Sequence, residues 1–376
     1  MNVTKKLALG LSLGLGILSY AQVGDIRPVL TGAPFLRISP DARSGGLGDQ
    51  GVATSADAFS QFWNASKYPF SRNTSSVAVN YTPYMSKLTN DVFLLYGAFN
   101  TALGEEGRSS LGVSLYYFNM GQVQLTELRA GLPYDNGTIT PNEFSLDVSY
   151  ALKLSDSYSM AVTGRFIRSD FGSFALESTL KPANSFAVDV SGFLQTPKHQ
   201  SFGDYEGRVR AGWAVQNLGP RLDYTGDEES RSYLPTSMRV GAGYDLFLDD
   251  ANKVGFTAEV SKLLVPGPDE SGIVPNVGVI SGIGKSFKNE KSLMFSGSLE
   301  YSYDNAFAIR TGYFHESPQQ GGRQFATVGL GLNYQSFGLD LSYLINTSKV
   351  NSALDNTLRF GLTWNIGEES YNNDDY

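Results

Sequence analysis

The sequence contains no cysteine and only two histidines. The first absence excludes a disulfide framework in a chain whose amino terminus directs it out of the cytoplasm. The second leaves little for imidazole catalysis or metal ligation, because neither His199 nor His315 stands in a Ser-His-acid or metal-ligand spacing. Charged residues make up only 18% of the chain and the formal net charge is −8, so a basic surface for nucleic acid is not expected. After Leu18 no apolar run approaches the roughly twenty residues that a membrane-spanning helix needs. No glycine loop leads from a strand into a helix, which argues against a nucleotide site. No linker, charge block or low-complexity stretch divides the chain into soluble domains.

What is present begins with Lys5 and Lys6, an apolar run over 7–18 and Ser19-Tyr20-Ala21. These are the parts of a signal peptide spanning 1–21, with cleavage expected between Ala21 and Gln22. The run is too short to anchor the chain, and no cysteine follows it for lipid attachment. Its removal takes away two lysines and no acid, making the mature chain more acidic still.

Beyond it, 41 glycines, 21 tyrosines and 23 phenylalanines accompany a period-two alternation. Over 291–303, Leu293, Phe295, Leu299, Tyr301 and Tyr303 share one face, opposite Ser296, Ser298, Glu300 and Ser302. Over 236–246, Met238, Val240, Ala242, Tyr244 and Leu246 alternate with Arg239, Gly241, Gly243 and Asp245. The stretch 356–364 sets Leu358, Phe360, Leu362 and Trp364 against Arg359, Gly361 and Thr363. Fourteen such segments start near residues 74, 91, 109, 142, 157, 182, 206, 236, 252, 291, 305, 323, 336 and 356. Their length suits tilted strands crossing a bilayer, and an even number closes a ring with both ends on the periplasmic side. Short turns such as 155–156, 249–251 and 304–305 alternate with longer loops at 120–141, 170–181, 219–235 and 264–290. The fold class expected is therefore all-β membrane protein: a 14-stranded antiparallel transmembrane β-barrel over 74–366, preceded by a hatch segment over 22–73 and followed by an acidic periplasmic tail over 367–376.

The hatch reading rests on "ARSGGLGDQGVATSADAFSQFWNAS" at 42–66. Gly45, Gly46 and Gly48 permit tight bends, Thr54 or Ser55 starts a short helix, and Phe59, Phe62, Trp63 and Asn64 supply packing anchors. An ordinary periplasmic tail is the alternative use of the same segment.

The stretch resembles the amino-terminal signature of FadL-like outer-membrane barrels, with Ala65-Ser66 where that pattern has Pro-Ala. "LRISPDARSGGLGD" at 36–49 is most similar to the PorV family, the outer-membrane component of the type IX secretion system. The resemblance implies a protein that is not itself the main conduit, and the scarcity of catalytic residue patterns leads us to expect neither enzymatic activity nor a cofactor. It implies association with a large SprA-like translocon barrel, binding of the C-terminal domains of secreted proteins, and delivery to a PorU-like attachment complex amid outer-membrane lipid and lipopolysaccharide.

With the polar faces turned inward, Asp147, Lys153, Arg208, Arg210, Arg239, Asp245, Glu259, Glu300, Arg310, Asp340 and Arg359 line the lumen, where opposite charges are expected to pair with one another and with the hatch. That polarity disfavours simple FadL-type uptake of a hydrophobic solute. Apolar residues in two outer loops, Phe171, Phe174 and Leu176 in one and Leu264, Val265, Ile273, Val274 and Ile280 in the other, are expected to form a partner-binding rim; inward folding to cap the barrel is the alternative. His315, Glu316 and Ser317 are the weak candidates for a lipid A O-deacylase site, and no metal ligands are expected.

Overall fold

The computed structural model describes residues 28–85, 89–104, 107–129, 132–172, 180–201, 203–268, 274–288, 292–317, 320–348 and 353–367. The expected signal peptide and the tail beyond Gly367 lie outside them. Fourteen barrel strands follow in chain order: β1 (Ser75–Pro83), β2 (Val92–Leu103), β3 (Ser109–Met120), β4 (Asn142–Ser155), β5 (Tyr158–Asp170), β6 (Ala183–Gln195), β7 (Glu206–Leu218), β8 (Ser237–Phe247), β9 (Asn252–Leu263), β10 (Leu293–Tyr303), β11 (Phe307–Glu316), β12 (Gln324–Tyr334), β13 (Phe337–Asn346) and β14 (Leu358–Ile366). Each pairs antiparallel with the next. The ring closes where β1 meets β14, in register from Ser75 opposite Ile366 to Tyr81 opposite Phe360. Every strand begins within two residues of its expected start.

Closure satisfies the backbone polar groups without a free sheet edge, which a strand in hydrocarbon requires. The side chains are distributed inversely to a soluble sandwich. Along β9, Phe256 and Val260 face outward while Thr257, Glu259 and Ser261 are buried within the ring. On β14 the outward Phe360 is 40% exposed, whereas the adjoining Arg359 is 1% exposed. Apolar side chains out and charges in is the arrangement stable with lipid around the wall and a polar lumen inside. Trp364 stacks on Phe337 at the turn-side rim, ring centres 6.1 Å apart, where an aromatic girdle meets the head groups.

Short turns join the strands at one rim and long loops at the other, which identifies the periplasmic and outer faces. Two elements of the outer face were not expected. One is a hairpin of Val123–Arg129 paired with Leu132–Ile139; the other is α3 (Val279–Ser286), numbered after the two hatch helices, α1 (Ala42–Gly46) and α2 (Ser60–Trp63). Residues 28–73 enter the ring rather than hanging below it. They carry a 3-10 turn (Pro34–Arg37), α1, α2 and a second 3-10 turn (Ala65–Phe70), and most of their side chains are buried.

Candidate functional site

The hatch is organised by Asp41. It caps α1, accepting from the Ser44 amide at 2.7 Å, and accepts from Trp63 Nε1 at 2.8 Å, so one carboxylate joins the two halves of the segment. Asn64 makes the next junction: its amide donates to the carbonyls of Val52 and Gly192, and its Oδ1 accepts from the Ser66 amide at 3.1 Å. That cap starts the second 3-10 turn with Ala65 where the resembled signature has proline, so the departure from that pattern leaves the turn intact.

The glycines bring backbone against wall. A Cβ on Gly46 would lie 2.9 Å from the Gly329 Cα on β12. Gly48, at φ 74°, abuts Gly312 and Tyr313 on β11. Gly45 leaves room for the Arg359 side chain. Around these contacts Thr327 Oγ1 bridges, accepting from the Gly48 amide and donating to the Gly46 carbonyl, each at 3.0 Å. Glu259 on β9 accepts from the amides of Gly51 and Val52, both at 3.0 Å, and pairs with Arg239, whose guanidinium lies over the Trp63 ring. Phe59 and Phe62 pack on Tyr96, and Phe62 also meets Tyr116 edge-on. All six expected hatch residues are therefore buried inside the barrel.

Ion pairs lock hatch to wall on several sides. Arg37 meets Glu316 at 3.1 Å, Arg43 meets Glu300 at 3.3 Å, and Asp49 meets Arg359 at 3.0 Å. The second contact belongs to a chain running from Asp57 through Arg43, Glu300 and Arg310 to Asp340. Within the wall, Arg165 joins Asp147 and Asp189, and Arg210 joins Asp245. Lys153 lies over Phe70 and Arg208 over Phe247. The eleven expected lumen charges thus meet opposite charges or aromatic faces. Arg165, Asp189, Glu316 and Arg323 complete the network; the same alternation that marked the others could have identified them.

Asp41 and Lys67 are among the hatch groups that titrate away from their ordinary ranges. Burial, reinforced by the Asp57 charge, pushes the Asp41 carboxyl up to about 6. Burial lowers the Lys67 ammonium to about 8; its Nζ donates to Thr54 Oγ1 at 3.0 Å.

Below the hatch a polar vestibule of about 520 Å³ opens to the periplasm, lined by Arg72, Lys253, Asp304 and Asn365 among others. Above it, beside Trp63 and Arg37, lies a cavity of about 30 Å³. The hatch stands between the two.

The outer loops require a correction. Leu264 and Val265 do not form an exposed rim: they are 6% and 3% exposed, and Val265 clusters with Val29, Tyr233 and Leu263, with Val274 packed against that group. Phe171 lies on Tyr224, ring centres 5.3 Å apart. Loop 219–236 folds inward as well, Gly32 of the hatch donating to the Tyr233 carbonyl at 2.9 Å. Apolar loop side chains gain more by covering the entering hatch than by facing water, which favours the inward arrangement. Phe174, Leu176 and Ile273 lie outside the described residues. Of the expected rim residues Ile280, on α3, is exposed, and Leu132 and Tyr134 on the hairpin are exposed as well.

His315 and Glu316 also fail to make a catalytic pair. Successive strand residues point to opposite sides, and Glu316 turns inward to Arg37 and Arg323. His199 sits in the periplasmic connection near Tyr244. Among the described residues no group of three acidic, histidine or cysteine side chains could hold a metal ion.

Comparison with known proteins places this architecture. The toluene transporter TodX of Pseudomonas putida has the same fold at TM-score 0.51 and 8% identity, covering 91% of this chain and 98% of its own. The toluene transporter TbuX of Ralstonia pickettii aligns at TM-score 0.46 and 9% identity over 87% and 96%. A FadL homologue of Pseudomonas aeruginosa aligns at 0.42 and 12% over 91% and 99%. No curated protein matches in sequence. The family described as "Type IX secretion system protein PorV" matches residues 21–270, including the whole hatch motif. A closed 14-stranded barrel, this hatch and that match lead to one conclusion: the chain is an outer-membrane protein belonging to the PorV family of the type IX secretion system.

Proposed function

We propose that this protein is a non-enzymatic handover component of the type IX secretion system. It associates with a large SprA-like translocon barrel, engages the C-terminal domain of a secreted protein, and delivers it to a PorU-like attachment complex at the cell surface. One observation supports this reading above the rest: the hatch is tied to the wall by the Arg37–Glu316, Arg43–Glu300 and Asp49–Arg359 pairs. A lumen held shut from several sides suits a carrier that works from its outer face better than a protein conduit. The projecting hairpin, with Leu132 and Tyr134 exposed, offers a surface for that contact. The charged lumen weighs against passage of an apolar solute, and the opposed directions of His315 and Glu316 weigh against lipid A hydrolysis. Cleavage after Ala21 belongs to the same export route.

Deletion of the gene tests the proposal. Proteins bearing the secretion C-terminal domain should accumulate in the periplasm, and purification from solubilised membranes should bring a very large barrel with this one. Normal surface display after deletion overturns the reading.

A further inference from the structure

Helix α3 presents two unlike faces. Gly282 and Ser286 are buried, and a Cβ on Gly282 would meet Pro266 at 3.2 Å and Tyr233 at 3.3 Å, so this face is seated on the outer loops. The other face carries Ile280, 76% exposed, Gly284 one turn on, and Phe287 at the helix end, 58% exposed. Residues spaced in this way share one side of a helix. Between 274 and 288 there is no acidic residue, while Lys285 and Lys288 stand exposed beside the apolar stripe.

The position of this stripe relative to the wall indicates what covers it. Lys262, near the outer end of β9, has the strand parity of the outward Phe256 and Val260, and its Nζ lies 5.8 Å from the centre of the Phe287 ring. Lys262 pairs with Leu293 across to β10, and two residues nearer the membrane Val260 stands opposite Phe295, both outward and exposed. Phe287 therefore lies on the outside of the barrel, one step above its lipid-facing band and continuous with it. Apolar rings at that level with lysines around them match the boundary between acyl chains and phosphate head groups.

We propose that α3 is an interfacial anchor: Ile280 and Phe287 enter the outer leaflet, and Lys285 and Lys288, with Lys262 below them, meet the phosphates of its lipids. The anchor fixes the height and tilt of the loop that also holds Val265 over the hatch. It does not depend on the secretion partners proposed above.

The natural absence of cysteine permits a direct test. Ile280→Cys and Phe287→Cys, each carrying an environment-sensitive fluorophore, are reconstituted in vesicles of phosphatidylcholine with phosphatidylglycerol. Val260→Cys in the lipid band and Glu229→Cys on an exposed loop serve as references, and heat-modifiable gel mobility confirms that each barrel is folded. Both α3 labels should lose quenching by aqueous iodide and gain quenching from a nitroxide placed near the lipid head group. Lys285→Gln with Lys288→Gln should restore part of the iodide quenching, and pure phosphatidylcholine should do the same. Iodide quenching equal to that at Glu229→Cys in both lipids overturns the proposal. So does shielding that arises only in native membranes containing the secretion partners, which would assign the stripe to a protein contact.

Discussion

Gly46 of the hatch and Gly329 of the barrel wall meet backbone to backbone, so that a single added carbon on Gly46 would stand 2.9 Å from the Gly329 Cα. Such an approach is available only where both partners lack a side chain. It lets the carbonyl of Gly46 and the amide of Gly48 reach Thr327 across the junction. Gly46→Val should therefore lift α1 from β12 at a cost of about 1–3 kcal/mol, the range for overpacking a filled site. Single-channel recording in planar bilayers checks this: the variant should conduct where the parent is closed, with the barrel still resistant to unfolding in detergent.

The Asp49–Arg359 pair is nearly removed from water, Arg359 being 1% exposed. Asp49→Asn should cost more than its lost attraction alone, because the guanidinium stays behind without its countercharge; removal of one buried partner typically costs about 3–5 kcal/mol. Arg359→Met combined with Asp49→Asn should be closer to the parent than the sum of the single changes. A double-mutant cycle on denaturant midpoints measures the difference, and additive effects would contradict the coupling.

Asp41 predicts a pH dependence. Its carboxyl titrates near 6 in the docked hatch against an ordinary value of 3.8, so the docked state binds the proton more tightly than the released one. Hatch docking should strengthen as pH falls from 7 through 6 and level off below about 4. Lys67, lowered to about 8, is charged in both states across that interval and contributes no slope there. Asp57 acts with the opposite sign only below the ordinary carboxylate range: the Lys67 and Arg43 charges outweigh burial and hold it down. Thermal midpoints at pH 7 and pH 5 should show the gain in the parent and its loss in Asp41→Asn.

Leu264 and Leu132 should separate packing from recognition. Leu264 is 6% exposed and Leu132 is 71% exposed. Leu264→Ala should lower stability by about 2–5 kcal/mol, as for other buried leucines. Leu132→Ala with Tyr134→Ala should leave the thermal midpoint unchanged while reducing recovery of secretion partners in a pull-down. Full recovery with the hairpin variant would remove it from the interface.

Strand number, order and facing were legible in the sequence because each strand reports its own environment. The alternation of Phe256, Val260 and Glu259 needs no knowledge of neighbours. The outer hairpin and α3 escaped notice for the opposite reason: "VQLTELR" alternates yet projects beyond the lipid, and α3 is a short helix in a loop rich in glycine and proline. Hydrophobicity alone marked Leu264 and Val265 as significant but could not distinguish a rim from a cap.

The sequence by itself determined a ring of lipid-facing strands, its polar lumen and a glycine-rich leading segment, since these follow from local period and local conformational freedom. Only the tertiary structure decided that the segment lies inside and which wall charges it meets. Arg359 and Asp49 are separated by 310 positions in the chain, and what brings them within 3.0 Å is closure of the ring, which no local pattern encodes.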